Sequence, residues 1–269
     1  MSDLNSMELA RRVRLHALKM VNLGGSSHIA SVLSIADILA VLYARVMNYK
    51  IKEPKWINRD RFILSKGHAG VGVYAVLAES GFFSVNDLEN HYQDGSVFSG
   101  HVSHKGIPGV ELSTGSLGHG LSVGSGMALA AKIDNKKHRV IVLMSDGELD
   151  EGSNWEAFMF SSHHCLNNLT AIIDRNGLQS IKTTEETLTL EPLAEKLSSF
   201  GWHVIQVEGH NHEELFKAIT LNVNKPKIII ANTIKGKGVS FMENNNKWHY
   251  QTPKDSLFKK AINELENIQ

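Results

Sequence analysis

Two oxygen-bearing side chains follow strongly apolar segments of the sequence, at the point where each segment ends. Asp146 and Gly147 come directly after the run RVIVLMS, and Asn176 follows the run LTAIID and one arginine. Ligands bind at the carboxyl ends of parallel strands, so an Asp and an Asn at two such ends would lie close together. Their oxygens suit a hard cation such as Mg²⁺, which often shares its ligands with a diphosphate. Gly147 would let a backbone N–H approach a phosphate closely.

Each of these dipeptides also has a simpler interpretation. Asp-Gly and Asn-Gly are common turn dipeptides, and either one alone can be a turn with a polar cap. Their occurrence after two successive buried strands favours the metal and diphosphate interpretation.

The elements that must position these residues alternate between strand and helix. Continuous apolar runs at Arg139–Ser145 and Leu169–Asp174 are typical of strands buried on both faces of a sheet. Further strands are predicted at Arg61–Ser65, Val204–Glu208 and Lys227–Asn232. Helices are predicted at Leu4–Leu23, Ile35–Met47, Gly70–Ser80, Leu117–Ala131, from Asn154 onward, Leu190–Phe200, Glu213–Asn224 and Ser256–Ile268. The alternation predicts an α/β fold, a parallel β-sheet with helices on both faces, in a single domain over residues 1–269.

Composition and charge restrict the classes of partner. Lys and Arg number 28, and so do Asp and Glu, so a balanced surface gives no reason to expect nucleic acid or an anionic membrane. The single cysteine, Cys165, cannot form an internal disulfide and fits a reducing compartment. The polar N-terminus lacks a signal core, and no apolar run approaches the roughly 20 residues of a membrane span. We therefore expect a soluble, cytoplasmic protein.

Three other motifs are interpreted as ordinary structure. The glycines around His119 lack the spacing of a dinucleotide loop and a strong strand before them. The run His163-His164-Cys165 does not suggest zinc, because adjacent helical side chains point apart and no second ligand pair is present. The acidic residues Glu148 and Asp150 are expected on a solvated face.

Six blocks of the sequence resemble the transketolase family of thiamine-diphosphate enzymes, in the order that the family has them. The segment from Asp146 to Leu178 resembles its Gly-Asp-Gly to Asn motif, with Ser145 in place of the first glycine. The other blocks are Ser27-His28 with Ala36-Asp37-Ile38, Leu64 to His68, Gly100-His101, Gly115 to Gly120, and Lys235 to Gly238 with Trp248-His249. The matches cover most of the chain. The long Gly95 to Gly115 segment, which contains the Gly100-His101 match, is predicted to be a functional loop.

The resemblance implies the thiamine-diphosphate-binding fold of the diphosphate type, with thiamine diphosphate and a divalent cation as cofactors. The cation would be Mg²⁺, or Ca²⁺ or Mn²⁺, held by Asp146, Asn176 and the backbone carbonyl of Leu178. The residues implied to contact the cofactor are His68, Gly115, Ser116, Leu117, Gly147, Asn176 and His249.

Histidine is abundant in this chain, with 14 residues, and imidazoles can donate or accept a proton near neutral pH. By the resemblance, His28, His101 and His249 face the hydroxyls of a sugar. The remaining histidines singled out are interpreted as surface or satisfied polar residues: His16, His91, His163, His164, His210 and His212. Glu151 is implied to lie at a subunit interface, where it could link two active sites by a proton path.

Transketolases transfer a two-carbon ketol unit from a ketose or ketose phosphate to an aldose or aldose phosphate. Full-length members carry two further regions, which bind the aminopyrimidine ring and supply basic residues for the sugar phosphate. The chain resembles only the first region. We therefore expect the N-terminal subunit of a split transketolase, active only with a separate C-terminal subunit, in a heterotetramer of two copies of each.

Alternatives are a component of a deoxyxylulose-phosphate synthase or a 2-oxo acid dehydrogenase, and a non-catalytic cofactor-binding relic. The histidine blocks favour transketolase, and the intact metal and glycine positions argue against decay. Departures from the family pattern bear on the substrate more than on the cofactor: Ile29-Ala30 after His28, His119 where glutamine is common, and no Asp-Gly within Gln179 to Glu186.

Overall fold

The computed structural model describes residues 5–267 of the chain. Its centre is a five-stranded parallel β-sheet with the spatial order β1-β2-β3-β5-β4. The strands are β1 (Arg61–Leu64), β2 (Val140–Ser145), β3 (Leu169–Arg175), β4 (His203–Glu208) and β5 (Lys227–Asn232). The predicted parallel sheet is confirmed, and each strand lies within one residue of its expected bounds.

Helices cover both faces of the sheet. They are α1 (Ser6–Gly24), α2 (Ile29–Val41), α3 (Gly70–Glu79), α4 (Gly120–Ile133), α5 (Gly152–His163), α6 (Thr184–Thr187), α7 (Leu193–Ser199), α8 (His212–Thr220) and α9 (Asp255–Glu266). The helix expected from Leu190 starts later, because Pro192 is its N-cap. The expected end residues Leu4 and Ile268 lie outside the described residues, and the single domain over 1–269 stays a prediction.

Two apolar clusters sandwich the sheet, because successive strand residues point to opposite faces. Ile141 and Leu143 of β2 pack on the side of α1, α2 and α3. Val142 and Met144 pack on the side of α4, α5 and α7. The strands are therefore buried on both faces, which explains their continuous apolar runs.

Helix α2 is a core element. The segment Ile29–Val46 has the length and apolar composition of a membrane span, but 89% of it is buried inside the fold. The expectation that no apolar run approaches that length is therefore wrong for this segment. The helix also starts six residues before the expected Ile35, directly after His28, whose backbone adopts a left-handed φ of 70°. This early start brings His28 to the amino end of the helix.

The strand register aligns the carboxyl ends of the central strands. Ser145, the last residue of β2, pairs with Asp174 of β3, and Asp174 pairs with Ala231 of β5. The residues that follow these three strands therefore emerge at one edge of the sheet. The Gly95 to Gly115 segment lies beside this edge and has no helix or strand, as expected.

Candidate functional site

A cavity of about 260 Å³ opens at the carboxyl ends of the strands. Ten of the twelve predicted site residues line it: His28, His68, His101, Gly115, Leu117, Asp146, Gly147, Asn176, Leu178 and His249. Residues that are separated by more than 200 positions in the sequence thus meet in one place. The prediction that the residues after the two strand ends lie close together is confirmed.

Two predicted residues lie outside the cavity wall. Ser116 and Glu151 are both exposed. Glu151 is the N-cap residue of α5, and its side chain packs against Gly118, where an added Cβ would lie 2.6 Å from the Cβ of Glu151. Gly118 also has a φ of 82°, so only glycine suits this turn.

Asp146 is a buried carboxylate held by backbone donors. Its oxygens accept hydrogen bonds from the N–H groups of Gly147, at 2.8 Å, and Gly177, at 2.6 Å. Burial, together with the nearby charge of Asp174, raises its pKa. Its closest cation, a guanidinium nitrogen of Arg175, is 3.4 Å away. A carboxylate in this environment is stabilised by an added cation.

Asn176 and Leu178 place two more oxygens on the same loop. The Asn176 amide oxygen accepts from the N–H of Leu178 at 3.1 Å, and its amide nitrogen donates to Asp174 at 3.0 Å. The Leu178 carbonyl accepts from the Lys235 ammonium at 3.0 Å. Both residues line the cavity, and these hydrogen bonds fix the orientation of the amide oxygen and the carbonyl.

Beneath the cavity lies Asp174, which is completely buried and which the sequence analysis did not single out. It accepts hydrogen bonds from four side chains: Ser34, Lys66, Asn176 and Thr233. Burial alone would raise its pKa, but Lys66 and the hydroxyl donors outweigh burial and the pKa is lowered. This ionised carboxylate fixes Asn176 and holds Lys66 at the cavity wall.

Lys235 is, with Lys66, one of two lysines that line the cavity. The sequence block that contains Lys235 was recognised, but the lysine itself was not predicted as a site residue. It is only 1% exposed and donates to the carbonyls of Leu178, at 3.0 Å, and Gln179, at 2.7 Å. Burial and the charge of Lys66 lower its pKa to about 8. The backbone N–H of the preceding residue, Ile234, donates to His210 at 2.8 Å, so a histidine interpreted as ordinary holds this loop.

Glu148 corrects one expectation. It was expected on a solvated face, but it is completely buried. Its carboxylate accepts from the backbone N–H of Gly118 at 2.9 Å, from that of Ser145 at 3.2 Å, and from the hydroxyl of Ser65. The residue thus joins the ends of β1 and β2 to the Gly115–Gly120 turn. The acidic run in the sequence gives no signal for this, because the acids that follow Glu148 differ from it: Asp150 is half-buried and Glu151 is exposed.

Four imidazoles meet at the cavity. The His28 ring lies 4.8 Å from that of His249, 5.1 Å from that of His68 and 5.8 Å from that of His101. Burial and His101 lower the pKa of His28 to about 4, and burial and Lys235 lower that of His249 to about 3. The rings of His28 and His249 are therefore neutral near pH 7. Their buried Nδ1 atoms have no hydrogen-bond partner within residues 5–267.

The donor set fits an anionic group bridged by a hard cation. Within residues 5–267 no three His, Cys, Asp or Glu side chains are grouped for a metal, so a cation here depends on one carboxylate, one amide and one carbonyl. Such a site leaves ligand positions open for phosphate oxygens, as hard cations in phosphate sites require. Lys66 and Lys235 on the same wall complement the remaining negative charge.

Comparison with known proteins agrees with this geometry. A family model described as "Transketolase, thiamine diphosphate binding domain" matches residues 5–264. An apulose-4-phosphate transketolase subunit of Phocaeicola vulgatus is 40% identical over 267 residues, covering 98% of this chain and 95% of that protein. The 6-deoxy-6-sulfo-D-fructose transketolase subunit SqwG of Clostridium sp. is 39% identical over 260 residues, covering 96% and 94%.

Full-length transketolases match over the same part of the chain. The Homo sapiens enzyme is 39% identical over 259 residues, but the chain spans only 41% of its length. The solved transketolase from Campylobacter jejuni superposes with a TM-score of 0.92 at 32% identity, over 99% of this chain and 44% of that one. The expected family, fold and enzyme class are confirmed: the chain belongs to the transketolase family of transferases and carries its thiamine-diphosphate-binding domain.

Proposed function

We propose that the chain is the diphosphate-binding subunit of a split transketolase that moves a two-carbon ketol unit from a ketose to an aldose. It would act with a separate subunit that carries the pyrimidine-binding and C-terminal regions. Two relatives of nearly equal length are named as subunits, whereas the chain spans 41% of full-length transketolases. The observation that carries the proposal is the meeting of Asp146, Asn176 and the Leu178 carbonyl at one cavity.

We assign the divalent cation, Mg²⁺ or in its place Ca²⁺ or Mn²⁺, to Asp146, Asn176 and the carbonyl of Leu178. The raised pKa of Asp146 supports this, since a cation would offset both its burial and its repulsion from Asp174. The diphosphate would contact Gly147, Asn176 and His68, with Lys235 as a further cation. Burial and Lys66 hold the pKa of His68 well below its usual value, and a diphosphate beside it would raise that pKa.

When bound, thiamine diphosphate supplies the nucleophilic thiazolium carbon that accepts the ketol unit. The chain's own residues would orient the sugar and handle its hydroxyl protons. His28, His101 and His249 line the cavity, and the neutral forms of His28 and His249 can each donate or accept a hydrogen bond near pH 7. Gly115, Ser116 and Leu117 would support the thiazolium ring on a turn fixed by Glu148.

The partner would complete what this cavity lacks. Among the described residues, the carboxylates at the cavity are Asp146 and the buried Asp174, and no glutamate lines it. The carboxylate that assists ionisation of the cofactor would therefore come from the partner subunit. We also propose that exposed Glu151 lies at a subunit interface and links two active sites, in a heterotetramer with two copies of each subunit. The exposed single cysteine supports a cytoplasmic location.

The proposal is tested by co-purification with a chain that carries the pyrimidine-binding and C-terminal transketolase regions. The complex is then supplied with thiamine diphosphate, Mg²⁺ and a panel of ketose donors and aldose acceptors, with and without phosphate groups. We expect ketol transfer for at least one pair and none without the cofactor. A stable, cofactor-loaded complex that transfers no ketol unit from any donor contradicts the proposed reaction.

A further inference from the structure

Tyr250 stands at the mouth of the cavity and has no part in the site described above. It lines the cavity, yet 60% of it is exposed. Its ring lies 4.8 Å from that of His249 at an angle of 78°, and 5.8 Å from that of His28. Two of the three imidazoles that are proposed to contact sugar hydroxyls, those of His28 and His249, therefore lie beside an exposed aromatic ring.

The backbone around Tyr250 is anchored on both sides. Before it, buried Trp248 donates its indole N–H to the carbonyl of Phe241 at 2.9 Å, and the carbonyl of His249 accepts from the N–H of His28 at 2.9 Å. After it, the carbonyl of Pro253 accepts from the side chain of Asn22 at 2.8 Å. The backbone that carries the Tyr250 ring is therefore fixed, and a contact made from a preorganised backbone costs less conformational entropy on binding.

The charges of the site lie deeper than this mouth. Lys66 and Lys235 line the cavity but are each 1% exposed, and their ammonium groups donate to backbone carbonyls and, for Lys66, to the buried carboxylate of Asp174. His28 and His249 are neutral near pH 7. The part of the mouth formed by Tyr250 and these imidazoles thus offers an apolar ring face and uncharged hydrogen-bonding groups, which suit the C–H and O–H groups of a sugar chain better than an anion.

We propose that Tyr250 is a sugar-contacting, specificity-determining residue, whose ring packs on the hydroxylated carbon chain of the ketose donor next to its reacting end. This inference rests on the proposed function and adds which part of the substrate the chain would contact. A donor that has the same ketol unit but no sugar chain would not use the contact. An exposed aromatic face is otherwise an ordinary surface feature or a contact for the partner, and the experiment separates these cases.

The test uses the complex of the chain with its partner, supplied with two donors: the ketose that the wild type uses best, and β-hydroxypyruvate, which carries the ketol unit on a carboxylate. We expect Tyr250→Ala to raise the KM for the ketose roughly tenfold, as for loss of an aromatic packing contact of about 1.4 kcal/mol, and to change that for hydroxypyruvate by less than about twofold. Tyr250→Phe, which keeps the ring, should stay near the wild type. Phe160→Ala, at a 40% exposed aromatic on α5 outside the cavity wall, is the control and should alter neither KM.

Cofactor affinity by calorimetry and association of the two chains by light scattering are measured on the same variants, and both should match the wild type. An unchanged ketose KM in Tyr250→Ala, or an equal loss with both donors, overturns the inference. So does weakened association of the two chains with a wild-type KM at saturating partner, which would assign Tyr250 to the interface. Absence of transfer from either donor by the wild-type complex would instead contradict the proposed function, and this inference with it.

Discussion

The carboxylate of Glu148 accepts a hydrogen bond of 2.9 Å from the backbone N–H of Gly118, inside the protein and away from solvent. The same carboxylate accepts from Ser65, whose hydroxyl in turn accepts from the N–H of Gly120 at 3.1 Å. One buried side chain therefore sets the conformation of the turn on which Gly115 and Leu117 reach the cavity. The burial of Glu148 could not be predicted from the sequence. Its side chain nevertheless holds the turn that carries Gly115 and Leu117, two residues that were predicted to contact the cofactor.

Glu148→Ala should weaken both the fold and cofactor binding. It leaves the N–H groups of Gly118 and Ser145 buried without an acceptor, at a cost of about 1–3 kcal/mol each. We expect a fall in the melting temperature of roughly 5–10 °C and a clear loss of thiamine diphosphate affinity in the assembled complex. Glu148→Gln, which retains one acceptor oxygen, should lie between the wild type and Glu148→Ala in both melting temperature and cofactor affinity.

Thermal denaturation and calorimetry give the two readouts, and Glu195→Gln, at an exposed glutamate of α7, serves as the control. A wild-type melting temperature in Glu148→Ala would show that the buried hydrogen bonds contribute nothing.

Asp146→Ala and Asn176→Ala should each abolish metal-dependent cofactor binding. The diphosphate would lose the cation that bridges it to the protein, because both side chains supply oxygen ligands in this account. Calorimetric titration of the assembled complex with thiamine diphosphate, with and without Mg²⁺, measures the effect. Asp134→Asn, at an exposed aspartate following α4, is the matched control. Unchanged affinity for Mg²⁺ and cofactor in either site variant would refute the metal assignment.

His28→Ala and His101→Ala should spare cofactor binding but slow turnover. Each would remove one hydrogen bond to a sugar hydroxyl, worth roughly 1–3 kcal/mol, or about 5- to 150-fold in kcat/KM. Steady-state kinetics with the best ketose donor, beside a cofactor titration of the same proteins, separates the two effects. Retention of wild-type kcat and KM by either variant would remove that histidine from the sugar site.

Stability should fall in mild acid, because several histidines are buried in the neutral form. Burial lowers the pKa of His91 to about 4, whereas the unfolded value is about 6.5. Between these two pKa values the unfolded chain binds the proton and the folded chain does not, so the free energy of unfolding rises with pH. The contribution of neutral His91 to that free energy is fully present above about pH 6.5 and is lost as the pH falls toward about 4. Denaturant titrations from pH 7 to pH 4 should give a decline of up to about 1.4 kcal/mol per pH unit for such a group.

His91→Gln should make that decline shallower without touching the cavity, since His91 bonds Ser26 and the Phe98 carbonyl rather than any cavity residue. A pH profile identical to the wild type would show that His91 is not neutral in the folded chain.

The parts of the site that follow buried strands could be predicted, and the parts that depend on distant contacts could not. Asp146 and Asn176 were found because the carboxyl ends of adjacent parallel strands must meet. Lys66 and Asp174 form a buried ion pair across 108 positions, and neither residue alone carries a signal for it. Glu148 was predicted to be solvated because the acidic residues around it resemble a solvated face. Tyr250 was not predicted as a site residue, because its proposed role depends only on where the chain folds back to the cavity.

In the proposed function, this chain holds one side of the cofactor and needs a second polypeptide for activity. Size-exclusion chromatography with light scattering, combined with a ketol-transfer assay on each fraction, measures whether activity requires the second polypeptide. We expect a folded but inactive chain in isolation, and activity that elutes with a complex of two copies of this chain and two of its partner. A monomer of this chain alone that transfers ketol units would contradict the split-enzyme account and the interface role of Glu151.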